Sequence, residues 1–166
     1  LFDCMKDLFN ETEVKHAFYF SPNSPLSSER KECCQLLDLK NDLHLELLIK
    51  SSNLVLSCHC MQIFPSRLVQ SVRCYNLHPG YNPYNRGWYP QVFAILNNTV
   101  VGATLHEIDD LLDHGDIIDQ EYVTITDYDT SLSVYEKVQS VEIKILKHNL
   151  QKLIDNSYSK FKPVEE

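Results

Sequence analysis

Asn76 and His78 are the residues of this chain best placed to do chemistry. They lie two apart at the end of an apolar run, so on a strand both side chains leave the same face. Pro79 follows and ends the hydrogen-bond ladder there. An asparagine amide can donate to a carbonyl oxygen as negative charge builds on it, and an imidazole titrates near neutral pH. A carboxylate would orient the imidazole and stabilise its charged form, and the loop Leu112-Asp113-His114-Gly115-Asp116 offers two. Such a set suits transfer of an acyl-level carbon to an amine: the amine attacks, the carbonyl oxygen becomes anionic, and a proton must leave the nitrogen. No Ser, Cys or Lys is clearly placed as a nucleophile, which favours direct transfer over a covalent enzyme intermediate. The competing reading is structural, with Asn76 and His78 closing a strand end and satisfying loop amides.

These residues sit in an unusual stretch. Residues 76–116 contain all four glycines, the single Trp and three of the seven prolines, a concentration of backbone freedom that ordinary packing does not require. The rest of the chain reads as scaffold. Apolar spacing predicts helices over residues 1–9, 42–50 (capped from Asn41 or Asp42, with Leu43, Leu47 and Leu48 in phase), 65–69, 89–96 and 131–154. The last is capped by Asp129 or Thr130 and buries Val134, Val138, Val141, Ile145 and Leu146. Strands are expected at residues 15–20, 54–60, 72–77, 100–108 and 121–126, with a loop at 21–25. Residues 27–39 could be a helix or a loop leading to a short strand. Strands alternating with helices imply an open, mostly parallel Rossmann-like α/β sheet, and ligands collect beyond the carboxyl ends of such strands.

Bulk properties limit the function classes. At 166 residues and 43% hydrophobic content the chain is one domain with a sizeable core, spanning residues 1–160 with a polar tail at 161–166. No apolar run approaches the roughly 20 residues needed to cross a bilayer, so a soluble, cytoplasmic protein without a membrane partner is expected. The six cysteines lack framework spacing and suit free thiols. A formal charge of −8 repels phosphate backbones and disfavours nucleic acid as a partner. A homodimer is allowed but not specified. Cys58-His59-Cys60 invites a zinc reading, yet strand alternation puts His59 on the opposite face from the cysteines and the spacing is not that of a zinc knuckle, so no metal is expected. Lys137, Lys144, Lys147 and Lys152 interleave with Glu136 and Glu142, which reads as a solvated helix face.

Asn76-Leu77-His78, then Gly102-Ala103-Thr104-Leu105-His106, then Leu112-Asp113-His114-Gly115-Asp116 occur in order and resemble the catalytic core of the folate-dependent formyltransferases. The run from His78 to Pro90, His-Pro-Gly-Tyr-Asn-Pro-Tyr-Asn-Arg-Gly-Trp-Tyr-Pro, looks most like the branch acting on dTDP-linked amino-dideoxysugars. The resemblance covers residues 54–163. It implies a catalytic trio of Asn76, His78 and Asp113, with Asp113 rather than Asp116 as the carboxylate. The implied co-substrate is 10-formyltetrahydrofolate, with Cys60, Gln62, Ile63, Phe64, His106 and Asp110 as folate-side residues. His106 could equally be a hydrogen-bonded core histidine. For the nucleotide-linked amino sugar it points to Tyr81, Asn82, Tyr84, Asn85, Arg86 and Trp88, with Arg86 on phosphate and the aromatics stacking or packing under the loop. Other acceptors, such as initiator tRNA, and a catalytically silent folate or nucleotide-sugar module are the alternatives. The resemblance also implies a sheet strand before the first helix, whereas this chain begins at the helix, so a preceding segment is expected in the functional protein.

Overall fold

A computed structural model describes residues 1–22, 24 and 34–164. Helix α1 (Phe2–Asn10) opens the chain and turns Met5 inward. Two short strands, β1 (Tyr19–Phe20) and β2 (Gln35–Leu36), pair in parallel. The strand expected over residues 15–20 is therefore confined to its last two residues. The helix-or-loop alternative for residues 27–39 falls largely outside the described residues, as does part of the 21–25 loop. Within the described part, β2 agrees with the second of the two alternatives, a loop leading to a short strand.

Helix α2 (Asp42–Ser51) starts where Asn41 accepts from the amides of Leu43 and His44, satisfying two donors that the first turn leaves open. Its buried residues are Leu45 and Leu48, while Leu43 and Leu47 are 64% and 56% exposed, so the inward stripe lies one step round from the one expected. Strand β3 (Leu54–Cys58), the single turn α3 (Ser66–Val69) and strand β4 (Arg73–His78) follow. Helix α4 (Pro90–Leu96) then leads to β5 (Val101–Glu107) and β6 (Ile117–Val123), and the long helix α5 (Ser131–Asp155) closes the chain. The last strand begins earlier than the 121–126 expected, because the polar run Asp119-Gln120-Glu121 hides a strand start at the two buried isoleucines, Ile117 and Ile118.

The main sheet has the order β3-β4-β5-β6. Strands β3 and β4 are parallel, and β5 and β6 each run antiparallel to their predecessor. The open α/β architecture is as expected, and the antiparallel pairs set Asn76 opposite His106 and His78 opposite Thr104. Alternation along β4 sends Tyr75 and Leu77 into a core with Val101, Ala103 and Leu105 under α5, and Cys74 into a second core with Leu45, Leu48 and Leu68. Asn76 and His78 share the Cys74 face. The capping box of Thr130 and Ser133 fixes the start of α5. At the other end, the backbone of Phe161, where a polar tail was expected to begin, pairs with Ile117. Among the described residues no helix is long and apolar enough to cross a membrane.

Candidate active site

The site forms where β4 ends. Because Asn76 and His106 are direct partners across an antiparallel pair, their side chains leave the same face at van der Waals range. The β5–β6 loop folds back over them and delivers Asp113, whose φ of 47° is the left-handed geometry that aspartate tolerates better than most residues. Gly115 lets the loop return, since a Cβ there would overlap the Glu107 carbonyl. The Asn76 amide donates to Asp113 Oδ1 at 3.0 Å and lies 3.4 Å from His106 Nε2. Asp113 Oδ1 is 3.4 Å from His106 Nε2, and Oδ2 is 3.7 Å from His78 Nδ1. Oδ2 also accepts the Gly87 amide at 2.9 Å.

The two imidazoles are oriented by carbonyls. His78 Nε2 lies 2.7 Å from the Asn85 carbonyl and His106 Nδ1 lies 2.6 Å from that of Glu107. A carbonyl oxygen only accepts, so each of these nitrogens carries a proton, and the other ring nitrogens, His78 Nδ1 and His106 Nε2, face Asp113. Burial pushes the His78 pKa below its ordinary value, and the Asp113 charge and the Asn85 carbonyl oppose that shift. For Asp113, burial acts upward but is outweighed by the His106 hydrogen bond, the His78 charge and the Gly87 amide, which leave its pKa at about 2. The site therefore pairs an ionised carboxylate with an imidazole that is neutral at physiological pH and becomes stabilised on accepting a proton.

The remaining residues separate into loop anchors and surface groups. Asn82 and Asn85, expected on the sugar nucleotide, are 2% and 6% exposed. Asn82 donates to the Asp113 carbonyl, and Asn85 bonds the Val100 carbonyl and Thr99. Arg86 Nε also donates to the Asp113 carbonyl, at 3.1 Å. Asn82 and Arg86 hold the 79–87 loop to the Asp113 loop, and Asn85 ties it to the residues just before β5. Tyr81 packs over Gly102, and Tyr84 and Trp88 stand 50% and 63% exposed beside the site loops. Of the residues expected to face folate, Gln62 clamps the Leu39 amide and the Leu37 carbonyl at 2.8 and 2.9 Å. Phe64 packs into the second core, Ile63 is exposed, and Cys60 is half-buried. Asp110 is exposed, while its neighbour Asp109 anchors Leu111 and His114.

Thr104, quoted in a motif but given no role from sequence, is fully buried and joins Gly80 to Asn82 by accepting one amide and donating to one carbonyl. Glu142 departs furthest from expectation. Taken from sequence as part of a solvated face, it is 0% exposed and lies 2.8 and 2.9 Å from His59 Nε2. Helical phase could have found it, since 142 is four residues from both Val138 and Leu146. The alternation that separated His59 from Cys58 also fails, because His59 sits past the end of β3 with φ 51° and swings back to the Cys58 side. Cys58, His59 and Glu142 bring ligand atoms within 4.8 Å of one another. His59 and Glu142 are hydrogen-bonded to each other, and burial drives the Cys58 thiol well above its ordinary pKa, so the thiol beside them stays protonated.

A sequence profile of the formyl transferase family matches residues 21–150, and the chain belongs to that family. Within it, the chain is 47% identical over 119 residues to the dTDP-4-amino-4,6-dideoxyglucose formyltransferase of Mycobacterium tuberculosis, covering 72% of this chain and 51% of that protein. The fold superposes on a 4-N formyltransferase from Francisella tularensis with a TM-score of 0.91 at 38% identity, over 99% of this chain and 69% of the other. A sugar N-formyltransferase from a Shewanella species gives 0.92 at 37%, over 99% and 70%. The chain spans about half the length of the curated relatives it matches first.

Proposed function

We propose that the protein transfers a formyl group from 10-formyltetrahydrofolate to the amino group of a dTDP-linked amino-dideoxysugar. The observation that carries this reading is the arrangement at the end of β4, where an amide donor, a neutral imidazole and an ionised carboxylate converge on one face. The likeness to formyltransferases of 4-amino sugars supports the acceptor class.

In the proposed reaction the acceptor amine attacks the formyl carbon. Asn76 gives an N–H to the formyl oxygen as it becomes anionic, releasing its long contact with His106. His78 Nδ1 takes the amine proton, directly or through water, and Asp113 stabilises the resulting imidazolium. The bond from the formyl carbon to folate N10 then breaks, N10 gains a proton, and tetrahydrofolate leaves with the N-formylated nucleotide sugar. No acyl-enzyme forms. Tyr81, Tyr84 and Trp88 are the aromatic surfaces offered to base or sugar, and Cys60, Gln62, Ile63 and Phe64 form the loop offered to the pterin. Both reactants are small and soluble, which fits a cytoplasmic enzyme supplying glycan assembly of the lipopolysaccharide O-antigen kind. Incubation with 10-formyltetrahydrofolate and dTDP-4-amino-4,6-dideoxyglucose tests the reading: the sugar nucleotide should gain one formyl group by mass, and an unchanged mass would reject it.

A further inference from the structure

The His59–Glu142 pair lies outside the catalytic trio, yet it sits at the trio's edge. Strand β3 pairs with β4 in parallel register through Cys58 and Leu77, so the next residues, His59 and His78, leave the two strand ends side by side. At that point the backbone takes a left-handed step at His59 that an ordinary side chain disfavours. The ring turns under the strand toward α5, where both oxygens of a completely buried carboxylate receive it. A buried carboxylate without a partner is strongly disfavoured, so Glu142 holds the ring in that rotamer and with it the left-handed step. The chain departs from this step directly into residues 60–64, whose far end is fixed by Gln62 on Leu37 and Leu39 and by Phe64 in the second core.

We propose that Glu142 and His59 are positioning residues for folate: the pair sets the backbone step from which the 60–64 loop is presented beside His78. This rests on the formyl-transfer reading above. Neither side chain is assigned contact with the reacting atoms. The effect acts through the loop backbone, which predicts a loss confined to the folate side.

The test is tetrahydrofolate binding by calorimetry, with steady-state constants for both substrates, on His59→Ala, on Glu142→Gln and on the double variant His59→Ala with Glu142→Leu. The double variant removes the pair while leaving an apolar side chain in the core, which separates positioning from folding. His59→Ala and the double variant should weaken tetrahydrofolate binding and raise KM for the formyl donor about tenfold, with kcat and the sugar-nucleotide KM within about twofold. Glu142→Gln keeps an acceptor for His59 Nε2 and should stay within about threefold of the parent. Parent-like folate binding in the double variant would overturn the proposal and leave the pair as a stability feature. A parent protein that binds no tetrahydrofolate would instead reject the formyl-transfer reading.

Discussion

The amide of Asn76 donates to the carboxylate of Asp113 at 3.0 Å across 37 residues of sequence, joining the end of β4 to the β5–β6 loop. In the proposed reaction this amide is the donor that turns to the formyl oxygen. Removing one preorganised oxyanion donor typically costs about 3 to 4 kcal/mol of barrier. Asn76→Ala should therefore lower kcat roughly 10²- to 10³-fold while leaving the melting temperature little changed, read by formyl transfer and thermal unfolding.

Asp113 links the site to acid stability. Its folded pKa of about 2 lies below the ordinary carboxylate value, so its contribution is present above the unfolded pKa and lost as pH falls through the folded one. That depression corresponds to about 2 kcal/mol, lost between about pH 4 and about pH 2. Asp129, held low by Lys137 and the Thr126 amide, adds acid sensitivity of the same sign, so the comparison must be with Asp113→Asn. That variant should lose about 2 kcal/mol less than the parent in urea unfolding between those pH values. An equal loss would show that Asp113 is not depressed.

The loop that carries Asp113 depends on Gly115. A Cβ there overlaps the Glu107 carbonyl, and Glu107 is itself fixed by Tyr158 and Lys160 at 2.7 and 2.6 Å. Neither neighbour yields easily, so Gly115→Ala should destabilise by about 1 to 3 kcal/mol and lower the melting temperature by several degrees. Its kcat should fall together with stability, because Asp113 moves with the loop. Calorimetric melting beside turnover checks both.

Part of the candidate site's geometry was legible in the sequence. Strand alternation put Asn76 and His78 on one face, as found, whereas the residues alone left Asp113 and Asp116 open and the family resemblance pointed to Asp113, which the structure brings to Asn76. Glu142 and His59 were missed because a charge on a helix is assigned to solvent by default, and a single left-handed residue reverses alternation without leaving a mark in the sequence. The inward stripe of α2 was misplaced for a similar reason: Leu43, Leu45, Leu47 and Leu48 supply more apolar positions than one face uses, and tertiary packing selects among them. The binding roles expected of Asn82, Asn85 and Arg86 could not be separated from loop anchoring by residue type, since an amide or guanidinium that holds a loop looks the same in sequence as one that holds a ligand.

The central claim is that His78 handles the amine proton at a site built for formyl transfer. The most direct measurement is formyl transfer to dTDP-4-amino-4,6-dideoxyglucose by the parent and by His78→Ala, beside the Kd of each for the sugar nucleotide. The account predicts activity in the parent, at least about a 100-fold loss of turnover in the variant, and Kd values within about threefold. Near-parental turnover in His78→Ala would contradict it.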